Sequence, residues 1–286
     1  MPHDCGSVKK KDHPVSFILS NTSPEVRVQV AGDYPVLDNP ADSWMEPVLS
    51  TNGDCLLVID SDDENFYKIS FQRKIRESGA KLMYITVDDR HAYEADLILN
   101  QNIRALSQEY SVAPHTRLLL GPQHFIFREQ FRVSKVPYEP RGIYSLLISF
   151  GGGDQHNLTS LALRVLGMQP GPIEHIHVVC GGLNPHLEEV KTLVEVFNPR
   201  QISLHIDTPH MLEIMEECDA AITSFGLTFW ELVVRGLPSL VIASSERERS
   251  LYEYLQHQRY FQPVGVFTDP DLEERLAQGL SEVVST

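Results

Sequence analysis

Short apolar runs alternate with stretches of helical periodicity along most of the chain. The runs VSFILS (15–20), CLLVID (55–60), KLMYITV (81–87), DLILN (96–100) and RLLLG (117–121) form one series. SLLISF (145–150), HIHVVC (175–180), ISLHI (202–206), AAITSF (220–225) and SLVIA (239–243) form a second. Most lack strict alternation of apolar and polar positions. That is the signature of strands covered by helices on both faces. The segments between them, 65–78, 157–168, 185–196, 209–217, 227–235, 247–258 and 270–283, carry helical spacing. Strand–helix alternation over this length predicts an α/β protein with parallel sheets.

The stretch FRVSKVPYEPRG (131–142) breaks the rhythm with two prolines, several charges and little apolar periodicity. It divides the chain into an N-terminal Rossmann-like domain over 1–135, a linker over 136–142 and a C-terminal Rossmann-like, nucleotide-binding domain over 143–286. The expected architecture is two such domains facing each other across a cleft. A length of 286 residues suits two domains better than one.

Composition narrows the partners. The chain carries 24 Lys and Arg against 39 Asp and Glu, a net charge of -15, and no basic run longer than Lys9–Lys11. This argues against a nucleic-acid polymer or an anionic membrane surface as partner. It leaves room for a single nucleotide, because helix N-termini and backbone amides bind phosphate without surface lysines. No apolar run reaches the ~18 residues of a membrane span, and MPHDCGSVKKKDHP lacks the apolar core of a signal peptide. Cys5, Cys55, Cys180 and Cys218 show no CxxC spacing, so reduced thiols are expected in place of a disulfide or zinc site. These features suggest a cytoplasmic protein with no metal and no cofactor.

In a doubly wound domain, ligands bind beyond the carboxyl ends of the strands. Two glycine-bearing turns are placed there. In SFGGGDQHNLT (149–159), Gly151, Gly152 and Gly153 let the backbone approach a ligand, and Asp154, Asn157 or Thr159 can cap the following helix. In TSFGLTFWE (223–231), Gly226 turns the chain and a helix opens at Leu227–Thr228, where a diphosphate could lie over free amides. Glu231 then has two readings. It accepts hydrogen bonds from ribose hydroxyls, or it is an acid placed favourably near the positive end of the helix dipole, worth ~0.3–1 kcal/mol.

Five stretches together resemble a known family. They are VDD (87–89), ADLILNQN (95–102), LLLGPQHFIFREQF (118–131), ISFGGGDQHNLT (148–159) and AITSFGLTFWELVVRGLPSLVI (221–242). In this order and at this spacing they are similar to the UDP-sugar hydrolases of pseudaminic acid biosynthesis, which act on a UDP-diacetamido-trideoxy-altropyranose, and to related spore-coat polysaccharide proteins. The resemblance implies the two-domain glycosyltransferase-B architecture. It places the nucleotide on Gly226, Leu227, Thr228 and Glu231, with Gly151, Gly152, Gly153 and Asp154 beside the diphosphate. The expected partner is a UDP-sugar.

The departures from the family are also informative. Its opening strand and G-x-G-H-x-x-R turn, which carries the acid/base histidine, have no match here. KKKDHPVSFILS (9–20) resembles the end of the family's first helix and its second strand. The first domain is thus expected to be N-terminally incomplete, with a homodimer through that domain as one consequence. His13 matches a position other than the catalytic histidine. Of the acid, histidine and tyrosine that follow the next strand, Asp60-Ser61-Asp62-Asp63 retains the first acid. His156, beside Asp154, and Asp60 are the candidate catalytic groups. His175 and His177 read as structural or surface residues, Asp88-Asp89 as a turn, Trp230 as core, and Glu246-Arg247-Glu248-Arg249 as a solvated helix start from which Arg247 or Arg249 could reach a phosphate. Three functions follow: a UDP-sugar hydrolase in which water attacks the anomeric carbon and UDP leaves, a glycosyltransferase with the same donor site, and a catalytically impaired nucleotide-sugar-binding partner protein.

Overall fold

The computed structural model describes residues 14–19, 24–37, 55–87, 89–128, 130–131, 142–168, 172–197 and 201–284. The chain divides into two compact units, with the break between Ile126 and Phe127. The expected linker lies outside the described residues except for Gly142, as do Cys5, His13 and Asp88.

The first unit is built on a parallel sheet of β3 (Leu56–Ile59), β4 (Lys81–Ile85), β6 (Leu97–Asn100) and β8 (Arg117–Leu120), in that spatial order. Two small parallel pairs accompany it: β1 (Phe17–Ile18) with β2 (Val36–Leu37), and β5 (Ala92–Tyr93) with β7 (Ser111–Val112). Its helices are α1 (Pro24–Asp33), α2 (Glu64–Tyr67) and α3 (Ile69–Glu77). The single helix expected over 65–78 is thus two. Lys68 between them is extended, at φ -62° and ψ 131°. Leu57, Ile59, Leu82, Tyr84 and Ile98 bury one sheet face against Ile75.

The second unit is a six-stranded, all-parallel sheet. Its strands are β9 (Ser145–Ser149), β10 (His175–Cys180), β11 (Gln201–Ile206), β12 (Ala220–Thr223), β13 (Ser239–Ala243) and β14 (Gln262–Val266). The order β11-β10-β9-β12-β13-β14 is the doubly wound 3-2-1-4-5-6 pattern. Helices α4 (Leu158–Met168), α5 (Leu187–Val196), α6 (Met211–Glu217), α7 (Leu227–Arg235), α8 (Glu246–Leu255) and α9 (Leu272–Val284) connect or follow the strands. Every residue of β9, β12 and β13 is buried, which explains their unbroken apolar runs. Leu146, Ile148, Ile176, Val178, Ile222 and Ile242 pack toward α4 and α9. Leu147, Val179 and Ala221 pack toward α6 and α7.

The boundary differs from expectation. The sequence pattern puts Phe127, Arg128 and Phe131 in the first domain, yet they fold with the second. The reason is burial: Phe131 is in the core with Leu147, Met211 and Leu232.

Candidate functional site

Order 3-2-1-4-5-6 reverses direction between β9 and β12, and the crevice at such a switch point is where doubly wound sheets take ligands. The two glycine turns singled out in the sequence follow these two strands. Gly151–Gly153 leaves β9 and Gly226 leaves β12. At their base, the Thr223 hydroxyl donates to the Ser149 carbonyl at 2.8 Å and locks the two strand ends together.

The turns are not equivalent. After β9, Asp154 folds back at a positive φ of 34°, and its carboxylate accepts from the amides of Leu158 and Thr159, both at 2.9 Å. Asp154 therefore caps the start of α4 itself, as its position in the sequence allows. The glycines before it remain open. Gly151 sits at φ 76°, and nothing lies within 4 Å of where a side chain would project from Gly151 or Gly152. From below, Gly152 is tightly supported. A Cβ on Gly181, in the turn after β10, would lie 2.4 Å from the Gly152 carbonyl oxygen, so these backbones touch where only glycine fits.

After β12 the helix starts on a glycine. Gly226 precedes α7 in extended conformation and, as the N-cap, has no side chain to bond the helix amides, and space is open where a Cβ on it would project. Leu227 and Thr228 are partly exposed. The amides of the first turn of α7 thus form an anion-accepting end at the switch point.

Glu231 has a partner that neither sequence reading includes. Its side chain is fully buried, at 0% exposure, and faces Arg128. The Arg128 Nε donates to Oε1 at 2.7 Å, and Nη2 donates to Oε2. The guanidinium also lies 5.0 Å from the centre of the Phe131 ring. Burial pushes the Glu231 carboxyl upward, against the pull of Arg128. Both carboxylate oxygens are thereby engaged by Arg128 inside the protein.

The acid/base candidates are dispersed. His156 is exposed, and its ring stacks on Phe267 with centroids 3.9 Å apart. Asp60 is exposed at the end of β3, in the first unit. His177, mid-strand in β10, bonds to His205 of β11 at 3.2 Å. Trp230 packs edge-on against Phe229. Arg249 is held by Glu246 and Thr268, which uses its guanidinium locally. Among the described residues, no three His, Cys, Asp or Glu side chains form a metal-holding group, and no helix is long and apolar enough to cross a membrane. Cys55, Cys180 and Cys218 are free thiols.

Two residues escape sequence reasoning. Arg128 is the lone cation between Phe127 and Phe131, a position that invites a buried partner. Glu248 sits in a segment whose charges read as solvated, yet its carboxylate accepts from the Ser244 amide at 2.7 Å and the Ser244 hydroxyl at 2.9 Å. The signal is the Ser245-x-x-Glu248 spacing of a capping box.

No family model matches the chain. It is similar to the spore coat polysaccharide biosynthesis protein SpsG of Bacillus subtilis, 24% identical over 180 residues covering 62% of this chain and 52% of that one. It is also similar to an uncharacterised protein of Methanocaldococcus jannaschii, 27% identical over 192 residues covering 64% and 40%. The chain thus spans about half or less of the length of these relatives. Among solved structures, the spinosyn rhamnosyltransferase SpnG complexed with thymidine diphosphate superposes with a TM-score of 0.58 at 12% identity, over 99% of this chain and 87% of that one. Anabaena HepE in complex with UDP and glucose gives 0.56 at 12%, over 95% and 84%. The fold is that of the glycosyltransferase-B proteins, and the relationship to the spore-coat protein agrees with the motif resemblance.

Proposed function

We propose that this chain acts on a nucleotide-activated sugar, with the diphosphate seated on the first turn of α7 and roofed by the Gly151–Gly153 turn. One observation carries the reading: the glycine-headed helix start at Gly226–Thr228 and the open glycine turn flank the switch point of the sheet. Helix amides placed there favour the dianion, and they would stabilise a departing nucleoside diphosphate as charge develops on it. The base is proposed to be uracil, from the family resemblance and from the UDP held by HepE, which shares the fold.

The reaction proposed is hydrolysis. Water attacks the anomeric carbon, the bond from that carbon to the β-phosphate oxygen breaks, and UDP leaves with the bonding electrons. A base must take the proton from water. His156 and Asp60 are retained as its candidates, although His156 is stacked on Phe267. Transfer of the sugar to another acceptor is the competing reading, favoured by the likeness to a rhamnosyltransferase.

The binding test is calorimetry with UDP and thymidine diphosphate. Gly226→Val adds a side chain over the helix start into open space, on extended backbone any residue adopts. It should leave the melting temperature unchanged and weaken UDP at least ~10-fold, or about 1.4 kcal/mol. Equal affinity in the variant removes the site. UDP release from a UDP-diacetamido-trideoxyhexose without acceptor, at roughly 1 per second or faster, supports hydrolysis. Release that requires an added acceptor supports transfer.

A further inference from the structure

β11 is an outer strand of the second sheet, and it pairs with β10 without interruption, from Gln201 opposite His175 to Ile206 opposite Cys180. Just beyond it, the Asp207 amide donates to the Cys180 carbonyl at 3.0 Å. Backbone groups of successive strand residues point to alternate sides. Ser203 and His205 therefore turn theirs toward β10, and Ile202, Leu204 and Ile206 turn theirs outward. Among the described residues no strand pairs with that outward row. The strand also lacks the devices that close an edge, having no proline, no lysine and no slip of register.

Its side chains divide by face. Ile202 and Leu204 lean on the core that Leu193 and Val194 of α5 also cover. Ile206, next in the same alternation, is 42% exposed. On the opposite face Ser203 is exposed and His205 meets His177. Asp207, at a positive φ of 49°, turns the chain out of the strand.

We propose that this edge joins two copies of the chain, β11 pairing antiparallel with β11 of the second copy about a two-fold axis at Leu204. The occupant follows from the strand itself. A row of three outward residues centred on Leu204 is self-complementary under a two-fold axis: Leu204 meets Leu204 of the second copy, and Ile202 meets its Ile206. Each is then a hydrogen-bonded pair that exchanges two bonds, so no outward amide or carbonyl of the row is left over. Any other register leaves part of the row unpaired within the strand. The axis stands perpendicular to the sheet, so each face meets its own kind. Ile202 lies against the exposed Ile206 on one face, and Ser203 lies against His205 on the other, with no like charges opposed. A flexible peptide loses conformational freedom to make the same bonds, whereas a second copy presents its strand already formed. The contact uses neither β9 nor β12, the strands that lead into the glycine turns.

The test is sedimentation of the full chain at about 0.15 M salt, where the charge of -15 on each copy is screened beyond about 8 Å. One strand pair makes a small interface, so the mass should rise from 32.4 kDa to about twice that with a Kd on the order of 10 µM. Amide hydrogen exchange locates the contact. The outward amides of Ile202, Leu204 and Ile206 should exchange at least about tenfold more slowly in concentrated than in dilute protein. Ile206→Lys changes an exposed position and sets a charge against Ile202 of the second copy. It should stay monomeric and melt as the dilute parent does. A parent that is still monomeric at about 100 µM overturns the proposal. So does a dimer that survives Ile206→Lys, or one that leaves the three amides unprotected, since its contact lies elsewhere. Mass that climbs past the dimer overturns it too, because a two-fold contact closes on itself. Exchange is read on the parent, so it decides the matter even if the variant folds poorly.

Discussion

Arg128 and Glu231 are 103 residues apart in sequence and form a two-pronged ion pair in the interior of the second unit. The pair pins the chain, just after the break between the units, onto the helix whose start is the candidate anion seat. Removing one partner of a buried pair strands the other charge, at a cost of about 3–5 kcal/mol. Glu231→Leu or Arg128→Met alone should lower unfolding free energy by that order in urea titrations. The double variant Arg128→Met/Glu231→Leu should recover much of it. Singles that lose less than ~1 kcal/mol would show the pair to be solvated.

Gly181→Ala tests the contact beneath the glycine turn. Its Cβ would meet the Gly152 backbone, with the nearest atom at 2.4 Å and no flexible side chain to give way. Overpacking of this kind costs about 1–3 kcal/mol. The turn should also shift, so UDP affinity should fall more than in an Ala substitution at Gly152, which projects into open space. Thermal melts and calorimetry on both variants separate the outcomes.

Asp154→Ala should destabilise by about 1–2 kcal/mol, since two amides at the start of α4 lose their acceptor. Asp154→Asn, which keeps one oxygen, should lose less. If Asp154 instead held a ligand, stability would stay constant and affinity would drop.

His177 and His205 set a pH limit. Their rings stack with centroids 5.5 Å apart, and a hydrogen bond joins Nδ1 of His177 to Nε2 of His205. Burial lowers both histidines. His205 and His175 add to the effect on His177, while Glu217 opposes it. A histidine lowered in the fold takes up its proton more readily unfolded. Stability is therefore full above the unfolded value of about 6.5 and is lost as pH falls below it. Melting temperatures from pH 7.5 to 5 should drop more steeply in the parent than in His177→Gln/His205→Gln.

The parallel α/β plan was legible because burial on both faces demands unbroken apolar runs, and β9, β12 and β13 have them. β14 escaped because QPVGV is an edge strand containing Pro263 and Gly265, residues that read as a turn. α1 escaped because Pro24-Glu25-Val26-Arg27-Val28 carries no helical apolar stripe. In the candidate site, the glycine turns were readable from local sequence, since their role follows from backbone conformation. The partner of Glu231 was not. Pairing across 103 residues is fixed by tertiary packing, and nothing within a turn of Glu231 announces Arg128. For Glu248, the signal was local, since the Ser245-x-x-Glu248 spacing announces a cap and its bonds run to Ser244 and Ser245.

The last strand also bears on how the protein behaves in solution. β14 is one of the two outer strands of the second sheet, β11 being the other, and such a strand offers hydrogen-bonding groups to any chain that meets it. Here Pro263 has no amide hydrogen to offer. The register against β13 also slips where Val241 faces Pro263 and Ile242 faces Gly265, leaving Val264 as an extra residue. The row of donors is thus interrupted mid-strand. A second chain approaching this side finds no straight ladder to extend, which makes this edge a poor template for strand addition.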